Sequence, residues 1–593
     1  MKMLSKNILG VATYGHDPGA AIISRNGIVA ISEERLNRVK HSRNVFANLS
    51  VRYCLQTLGL RPEEIDLVVG KEGPGFEAFK KEYGTMFPNA EIVYVGHHDA
   101  HAASAFFVSP FEEAAILVVD GGGQKVKNHY GINGFETETL YRGKGNKIYC
   151  IQKTTHIERF RHSRETIGIG ALYSLISDHY LNFGVYNEGK LMGLAPYGKN
   201  KIAFGEWFRT VGDHIVCNPR IIYGGANMER GGWDKLSLRG KISRNARELL
   251  IEAAYKLFRL ADRKGNQVVI SKSGIFKEIE FSLSRRKRDE PLPQEYYADV
   301  AYTAQKVLEE VVIGWGKKLM NVTGLTNLAF AGGVGLNIDA NKRLMDDAGY
   351  KGLFVQPAAS DAGIPLGAAF WGAHQYLNLP RFYEMKSASL GRTYFEKEIR
   401  EAIDKFQGVI HVRKASDIAK ETAKFLSDGK IIGWFYGGCE YGPRALGNRS
   451  ILADARHPDM RDILNNRVKH RESWRPFAAA VLLENMREWF ELDQESPFML
   501  LAAQVVRDKQ KLIPSVTHVD GTCRIQSVTK EANGKYYDLI NEFKKLTGVP
   551  LILNTSFNLG GEPIVETPTD ALDTFLRTNI DYLVLEDYII SKK

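Results

Sequence analysis

The chain has 593 residues, 44% of them apolar and 25% charged, and it exceeds the roughly 250–300 residues that one hydrophobic core organises, so more than one domain is required. Its formal charge of +10 is spread along the chain, which favours small anionic ligands over obligate nucleic-acid binding. Its five cysteines are too scattered and too odd in number for a CxxC metal site or a disulfide framework. No stretch of about 18 apolar residues is present and the N-terminus reaches glycine and charge early, so neither a membrane span nor a secretory signal is expected, and a reducing cytoplasm is the expected home.

In chain order, "NILGVATYGHDPGAAIISRNGIVAISEER" reads as strand, turn through Gly15 to Pro18, strand, an Asn26-Gly27 hairpin and a third strand. A helix around 49–59 follows, then strands at "IDLVVGKEG" and "EIVYVG", then "HHDAHAASAF" as the start of a helix. This is alternating α/β. "AAILVVDGGG" (114–123) is a buried strand ending in an acid and three glycines, and "ETIGIGALYSLISDHYL" and "YADVAYTAQKVLEEVVIGWGKKLM" read as long helices. Between these helices, "SRRKRDEPLPQE" reads as a solvated loop, with a phosphate-binding patch as the alternative. "LAFAGGVGLNIDANKRLM" (328–345) and "GLFVQPAASDAGIPLGAAFWGAH" (352–374) both run from strand through a glycine- or acid-bearing turn into a helix. The two related α/β lobes, opening their turns toward one cleft, suggest an actin-like or sugar-kinase-like architecture. Proline, charge and serine at 377–394 mark a boundary, and "ETAKFLSDGKIIGWFYGG" opens a second α/β domain with a helix and a strand.

Two constellations carry chemistry. His97 and His101 are four residues apart and project from one helix face, whereas His98 points about 100° away. Such a pair can grip a divalent cation, and a hydrogen-bonded helix start is the alternative. Asp99 beside them suits the positive helix N-terminus. Asp120, ending an Ile-Leu-Val strand, is costly there unless it is paired or bound to a cation, and Asp361 occupies a comparable loop of the second lobe. A His-His-Asp-Asp set suits iron or zinc better than magnesium. The second constellation is "GCEYGPRALGNRSILADARHPDMRDILNNRVKHRESWRPF" (438–477), where Arg444, Arg449, Lys469, Arg471 and Arg475 lie among glycine, proline and small residues, followed by Arg524 and by Asn554, Thr555 and Ser556 at a strand end. Arginine forks embedded this way suit a phosphate-bearing guest.

The ordered motifs "GHDPGAA", "EERLNRVKH", "HHDAHAASAF", "VVDGGG", "EGKLMGLAPYG", "FAGGVGLN", "SDAGIPLGAA", "EYGPRALGNRSILAD", "RESWRPFA" and "LNTSFNLGGEPIV" resemble those of the O-carbamoyltransferase family, whose members carbamoylate nodulation factors, cephamycins and tobramycin. The resemblance implies a two-lobed, actin-like domain at 1–383, similar to the tRNA threonylcarbamoyltransferase domain, and a YrdC-like α/β domain at 384–593 that forms carbamoyl adenylate from ATP and carbamoyl phosphate. It implies phosphate handling by Arg444, Lys469, Arg475 and Arg524 and a nucleotide contact by Asn554, with Arg449 and Ser556 in the same pocket. It also implies metal ligation by His97, His101, Asp120 and Asp361, iron ahead of zinc, and an adenylate wall at Glu188 and Lys190 with Gly332, Gly333 and Asn337 at the nucleotide. His16 is the candidate base for the acceptor hydroxyl. The expected acceptor is a small-molecule, natural-product alcohol, with no nucleic acid and no membrane; Mg2+ with ATP and a homo-oligomer remain open. The rival readings are a tRNA-modifying enzyme and a nucleotide-gated actin-like binding protein. One departure stands out: many family members carry arginine at the position of Gly438, so the pocket is expected to lack one cation.

Overall fold

The computed structural model describes residues 5–13, 15–71, 75–127, 133–156, 168–201, 208–211, 214–217, 286–287 and 290–593. The first sheet is built from β1 (Ile8–Ala12), β2 (Gly19–Ser24), β3 (Gly27–Ser32), β4 (Leu67–Lys71) and β5 (Glu91–Val95), in the order β3-β2-β1-β4-β5. The first three form the expected antiparallel meander, and β4 and β5 join β1 in parallel. Ser24 pairs with Gly27, so the two-residue hairpin loop is Arg25-Asn26. The predicted Asn26-Gly27 loop is thus one residue late, with Gly27 already opening β3.

A second sheet repeats this plan. It contains β6 (Glu113–Val119), β7 (Lys125–Lys127), β8 (Asn133–Lys144), β9 (Lys147–His156), β12 (Asn327–Ala331) and β13 (Gly352–Val355), while β10 (Phe208–Val211) and β11 (His214–Cys217) pair as a separate ribbon. Here β6, β8 and β9 form the antiparallel meander, β12 and β13 run parallel to β6, and the short β7 pairs with the start of β8. Each lobe therefore has the same order, third-second-first-fourth-fifth, the actin-like arrangement expected from the sequence. The helix after each fifth strand, His97–Phe106 in one lobe and Ile364–Trp371 in the other, packs directly on its counterpart. Small residues allow this: a Cβ on Gly367 would lie 1.9 Å from the Ala100 carbonyl oxygen. The long helix predicted near 300 is Glu295–Thr323, and the one predicted near 170 is described from Ile169 to Tyr180.

The C-terminal region forms a mixed ten-stranded sheet of β14 (Ile410–Lys414), β15 (Ile432–Phe435), β16 (Arg449–Ala453), β17 (Ala478–Leu482), β18 (Phe490–Glu491), β19 (Leu501–Val505), β20 (Thr522–Val528), β21 (Leu551–Ser556), β22 (Tyr582–Leu585) and β23 (Tyr588–Lys592). Its order is β14-β23-β22-β15-β16-β21-β17-β20-β19-β18. It is fastened to the first lobe by charged groups meeting carbonyls: Arg35 donates to Gly442 O at 2.6 Å, and Arg38 to Ile564 O at 2.7 Å and Pro563 O at 2.9 Å. Of the basic run expected as a solvated loop, Arg286 is buried instead, donating to the carbonyls of Leu181 and Glu290 at 2.7 and 2.6 Å, while Lys287 is exposed. Arg285 and Arg288 lie outside the described residues. Among the described residues, Cys54, Cys150, Cys439 and Cys523 are free, and no helix is long and apolar enough to cross a membrane.

Candidate active sites

The duplicated topology brings four sequence-predicted ligands together between the lobes. His97 and His101 lie on the helix after β5, Asp361 stands at the matching place after β13, and Asp120 ends β6, the first strand of the second lobe. All four are buried and each offers a ligand atom within 4.8 Å of the others. His97 Nε2 is 3.3 Å from Asp120 Oδ2 and 3.5 Å from Asp361 Oδ1, and His101 Nε2 is 3.5 Å from the same Asp361 oxygen. Both ring nitrogens of His101 are buried without a hydrogen bond, and a cation in the cluster would remove that cost at Nε2. Burial opposes charge on the two aspartates, yet for Asp120 the His97 hydrogen bond, and for Asp361 the charges of His97 and Lys71, hold each well below the ordinary carboxylate range. A compact set of two imidazoles and two carboxylates fits a borderline divalent ion.

Neighbours complete the cluster. Gly333 N donates to Asp120 Oδ1 at 2.8 Å, and Gly332 has φ +94° with Val119 O 2.2 Å from where a Cβ would stand, so this turn needs glycine to reach Asp120. His98 turns away, as the helical spacing requires, to meet Thr139 Oγ1 at 2.7 Å, and Asp99 accepts from Tyr141 at 2.8 Å. His16, in the β1–β2 turn, pairs with Asp17 at 3.1 Å and approaches Asp361 at 3.9 Å. Burial would push its imidazole down, but the Asp17 hydrogen bond and the charges of Asp361, Asp17 and Asp120 raise it to about 9. The sequence did not single out Lys71, 3.4 Å from Asp361, or His41, which shares Asp17 with His16 at 2.8 Å. Neither belongs to a spacing pattern that could reveal it.

The second constellation lines a cavity of about 460 Å³ between the N-terminal lobes and the C-terminal sheet. Lys190, Arg444, Lys469, Arg475, Arg524, Asn554 and Ser556 all line it, joined by Lys40 and Arg471. Its seven cations face two carboxylates, Asp339 and Glu472. Glu472 is engaged, 2.8 Å from Lys190 and 3.8 Å from Arg475. Burial, followed by neighbouring cations, pulls Arg444, Lys469 and Arg471 well below their ordinary values, and burial with Arg475 nearby draws Arg524 down to about 10. Guanidinium groups stay charged, so this crowding is a demand for an anion. The Nε atoms of Arg444 and Arg524 are buried without partners.

Local structure explains the presentation. Glu440 Oε1 accepts from the backbone N–H groups of Leu446, Asn448 and Arg449 at 2.7, 2.8 and 3.1 Å, stapling the loop that carries Arg444. Lys469 Nζ is held by Ser556 O, and by Asn558 O and Oδ1 at 3.1 and 3.0 Å, neutral acceptors that orient its charge without cancelling it. Asn554 donates to Ala445 O at 3.2 Å and leaves Oδ1 unpartnered.

Other expected pocket residues lie elsewhere. Arg449 is fully buried in β16, donating to Gly437 O at 2.9 Å with its guanidinium 3.5 Å over the Phe435 ring. It serves packing, because its place in the strand turns it into the core. Glu188 accepts from Ser174 at 2.7 Å outside the cavity lining, and Asn337 caps the helix Ile338–Asp346 while exchanging two 2.9 Å hydrogen bonds with Gln305. Gly332 and Gly333 serve Asp120. Gly438 is also absent from the lining, and a Cβ there would lie 2.5 Å from Gly391 O, so this position removes no cation from the cavity.

Tyr186 connects the two regions. It lines the cavity, and its ring lies 4.7 Å from the rings of both His16 and His41.

The two-lobed α/β chain thus carries a buried His/Asp cluster and a separate cationic cavity. Residues 7–89 and 84–370 match the carbamoyltransferase N-terminus, and residues 423–592 match the carbamoyltransferase C-terminus. The chain belongs to the carbamoyltransferase family and is a carbamoyl-transferring enzyme. It is 34% identical to an uncharacterised protein of Synechocystis, over 99% of this chain and 97% of that one, and 34% identical to the nodulation protein NolNO of Sinorhizobium fredii, over 98% and 80%. Among solved structures it is similar to HypF of T. kodakarensis, with TM-score 0.32 and 16% identity, covering 63% of this chain and 48% of that one.

Proposed function

We propose that this enzyme activates carbamoyl phosphate with ATP in the cationic cavity and transfers the carbamoyl group to a hydroxyl of a small natural-product molecule at the His/Asp cluster. We place the transfer domain at 1–383 and a YrdC-like activating domain at 384–593. The observation that carries this reading is the pairing of the two regions: cations in excess of the acids beside them in one, a cation-ready donor set in the other, and Tyr186 touching both.

In the cavity, water releases phosphate from carbamoyl phosphate, and the resulting carbamate oxygen displaces pyrophosphate at the α-phosphorus of ATP, giving carbamoyl adenylate. Arg444, Lys469, Arg475 and Arg524 neutralise the charge carried by the oxygens during both steps. At the cluster, His97, His101, Asp120 and Asp361 would hold a divalent metal, iron ahead of zinc, which when bound supplies Lewis-acid stabilisation for the adenylate phosphate. The acceptor oxygen attacks the carbamoyl carbon, AMP departs, and His16 takes the hydroxyl proton. Of the carboxylates that raise His16, Asp361 and Asp120 belong to the set a cation would neutralise while Asp17 does not, so a bound cation would bring the imidazole only part of the way back toward a proton-accepting range. Cytoplasmic location follows from the need for ATP.

The test supplies ATP and carbamoyl phosphate without acceptor and measures pyrophosphate. Carbamoyl-phosphate-dependent release is expected. Release that carbamoyl phosphate does not stimulate, or none, overturns the activation step.

A further inference from the structure

Beside the candidate base His16 stands one more cation, which the transfer chemistry does not use. Arg43 is exposed, and among the described residues it makes no hydrogen bond and no ion pair. Its guanidinium carbon lies 4.8 Å over the ring of Tyr186, the same ring that is 4.7 Å from those of His16 and His41. The Tyr186 phenol accordingly feels the charges of Arg43, Asp17 and Asp361 together. The acids of this turn are already engaged: Asp17 meets His16 at 3.1 Å and His41 at 2.8 Å, and Glu34 accepts from His41 N at 2.8 Å.

The backbone holds Arg43 in place. Asp17 N donates to His41 O at 3.0 Å, Asn44 N to Gly15 O at 3.1 Å and Ser42 Oγ to Val39 O at 2.7 Å, so the segment from Arg38 to Asn44 is tied to the β1–β2 turn and to itself. Among the described residues, ten other than glycine have positive φ, and five of them, Asp17, Arg38, His41, Asn44 and Tyr186, fall in that turn, in that segment and under Arg43. Left-handed backbone at such residues persists where the surroundings over-determine it, as they do at binding sites.

A fixed guanidinium with its donors free is a receptor for an oxyanion, because the planar fork matches carboxylate or phosphate oxygens two at a time and the aromatic ring holds it ready. The cavity has its own cations for phosphates, and Arg43 is absent from that lining. The anion that Arg43 meets therefore arrives with the molecule that approaches His16. Val39 and Val45 on the same segment, and Val185 beside Tyr186, are 58%, 38% and 50% exposed, which gives that molecule apolar surface on both segments that the Arg43–Tyr186 contact joins.

We propose that Arg43 selects the acceptor: the alcohol carries an oxyanion, a carboxylate or a phosphate ester, that pairs with Arg43 while its hydroxyl reaches His16. Both contacts run through the Tyr186 ring, so the two groups of the acceptor are separated by no more than a sugar-sized body. Arg43 is a specificity-determining residue for an acidic acceptor, and a cationic acceptor is repelled. This rests on carbamoyl transfer taking place at the His/Asp cluster.

Carbamoylation by the full chain, with ATP and carbamoyl phosphate, tests it on four matched probes: methyl glucoside, the corresponding glucuronide, the 6-phosphate and the 2-amino sugar. One of the acidic probes should exceed the neutral one at least about tenfold in kcat/KM, and the amino sugar should fall below it. The leading acid identifies the oxyanion as carboxylate or phosphate. Arg43→Gln should bring the acid-to-neutral ratio within about twofold of unity, and Arg43→Lys, which keeps the charge but loses the fork, should retain a ratio of about three. A wild type that treats neutral and acidic probes alike, that prefers the amino sugar, or that carbamoylates neither acid while still releasing pyrophosphate overturns the assignment, and none of these results needs a variant to fold. An Arg43→Gln protein with the full wild-type acid preference overturns it as well. A wild type without carbamoyl-phosphate-dependent pyrophosphate release overturns the underlying reading, and this assignment with it.

Discussion

In the interlobe cluster, imidazoles and carboxylates face one another at 3.3 to 3.5 Å; in the cavity, seven cations converge on open space with Asp339 and Glu472 the acids among them. The cluster is partly self-satisfied, so it holds its shape before a ligand arrives and asks only for a positive ion. In the cavity, Glu440, Ser556 and Asn558 fix the Arg444 loop and Lys469 without discharging them, and Glu472 offsets only Lys190 and Arg475. Storing unpaired charge is costly in a buried site, and in the proposed function the substrates' phosphates are the missing partner. Preorganised charge of this kind stabilises a transition state without reorganising at the moment of reaction.

The comparison can be broken by exchanging symptoms between the regions. The double variant His97→Ala/His101→Ala should lose nearly all tightly bound metal by elemental analysis and lower carbamoyl transfer by more than about 10³-fold, with pyrophosphate release within twofold of wild type. Loss of pyrophosphate release in that variant would show the two regions to be one. Lys469→Met should do the reverse, reducing pyrophosphate release by about 10²-fold with metal content unchanged.

Smaller effects sharpen the boundary. Tyr186→Ala should keep pyrophosphate release but carbamoylate less acceptor per pyrophosphate, by about threefold, because an aromatic wall shared by both regions is gone; an unchanged ratio would remove Tyr186 from the route between them. Arg449→Lys should cost roughly 2 kcal/mol of stability in denaturant unfolding while leaving the KM for carbamoyl phosphate within twofold, since its guanidinium serves the backbone and Phe435. Acidity provides the gentlest probe. Asp120 and Asp361 are depressed in the folded state, so their stabilising contribution is complete above the ordinary carboxylate value of 3.8 and is lost as pH falls below it toward the depressed values. In metal-free protein, the stability gap between wild type and Asp361→Asn should narrow progressively below about pH 3.8.

The cluster was legible because each ligand leaves a local mark: two histidines one helical turn apart, an acid closing an apolar strand, another opening a small-residue helix. The cavity cations were legible from arginines among glycine and proline, a composition that a solvated face does not need. Arg449 misled for the same reason, since it shares that composition and only its place in β16 turns it inward. Gly438 misled in the opposite sense, a missing arginine at a position that does not face the cavity. Lys71 carries no local signature, and Lys40 and His41, although inside the motif "EERLNRVKH", become significant only beside residues distant in sequence.

By itself the sequence determined the strand and helix content, the repeated lobe pattern, the family and the chemical types in both sites, since periodicity, turn residues and ordered motifs are properties of short segments. Tertiary structure decided which of those residues face a ligand and which face the core. The packing of the helix His97–Phe106 on its counterpart Ile364–Trp371 sets the distances among the histidines and aspartates of the cluster. The docking of the C-terminal sheet on the first lobe closes the cavity, and both depend on close approach between surfaces that no local pattern encodes.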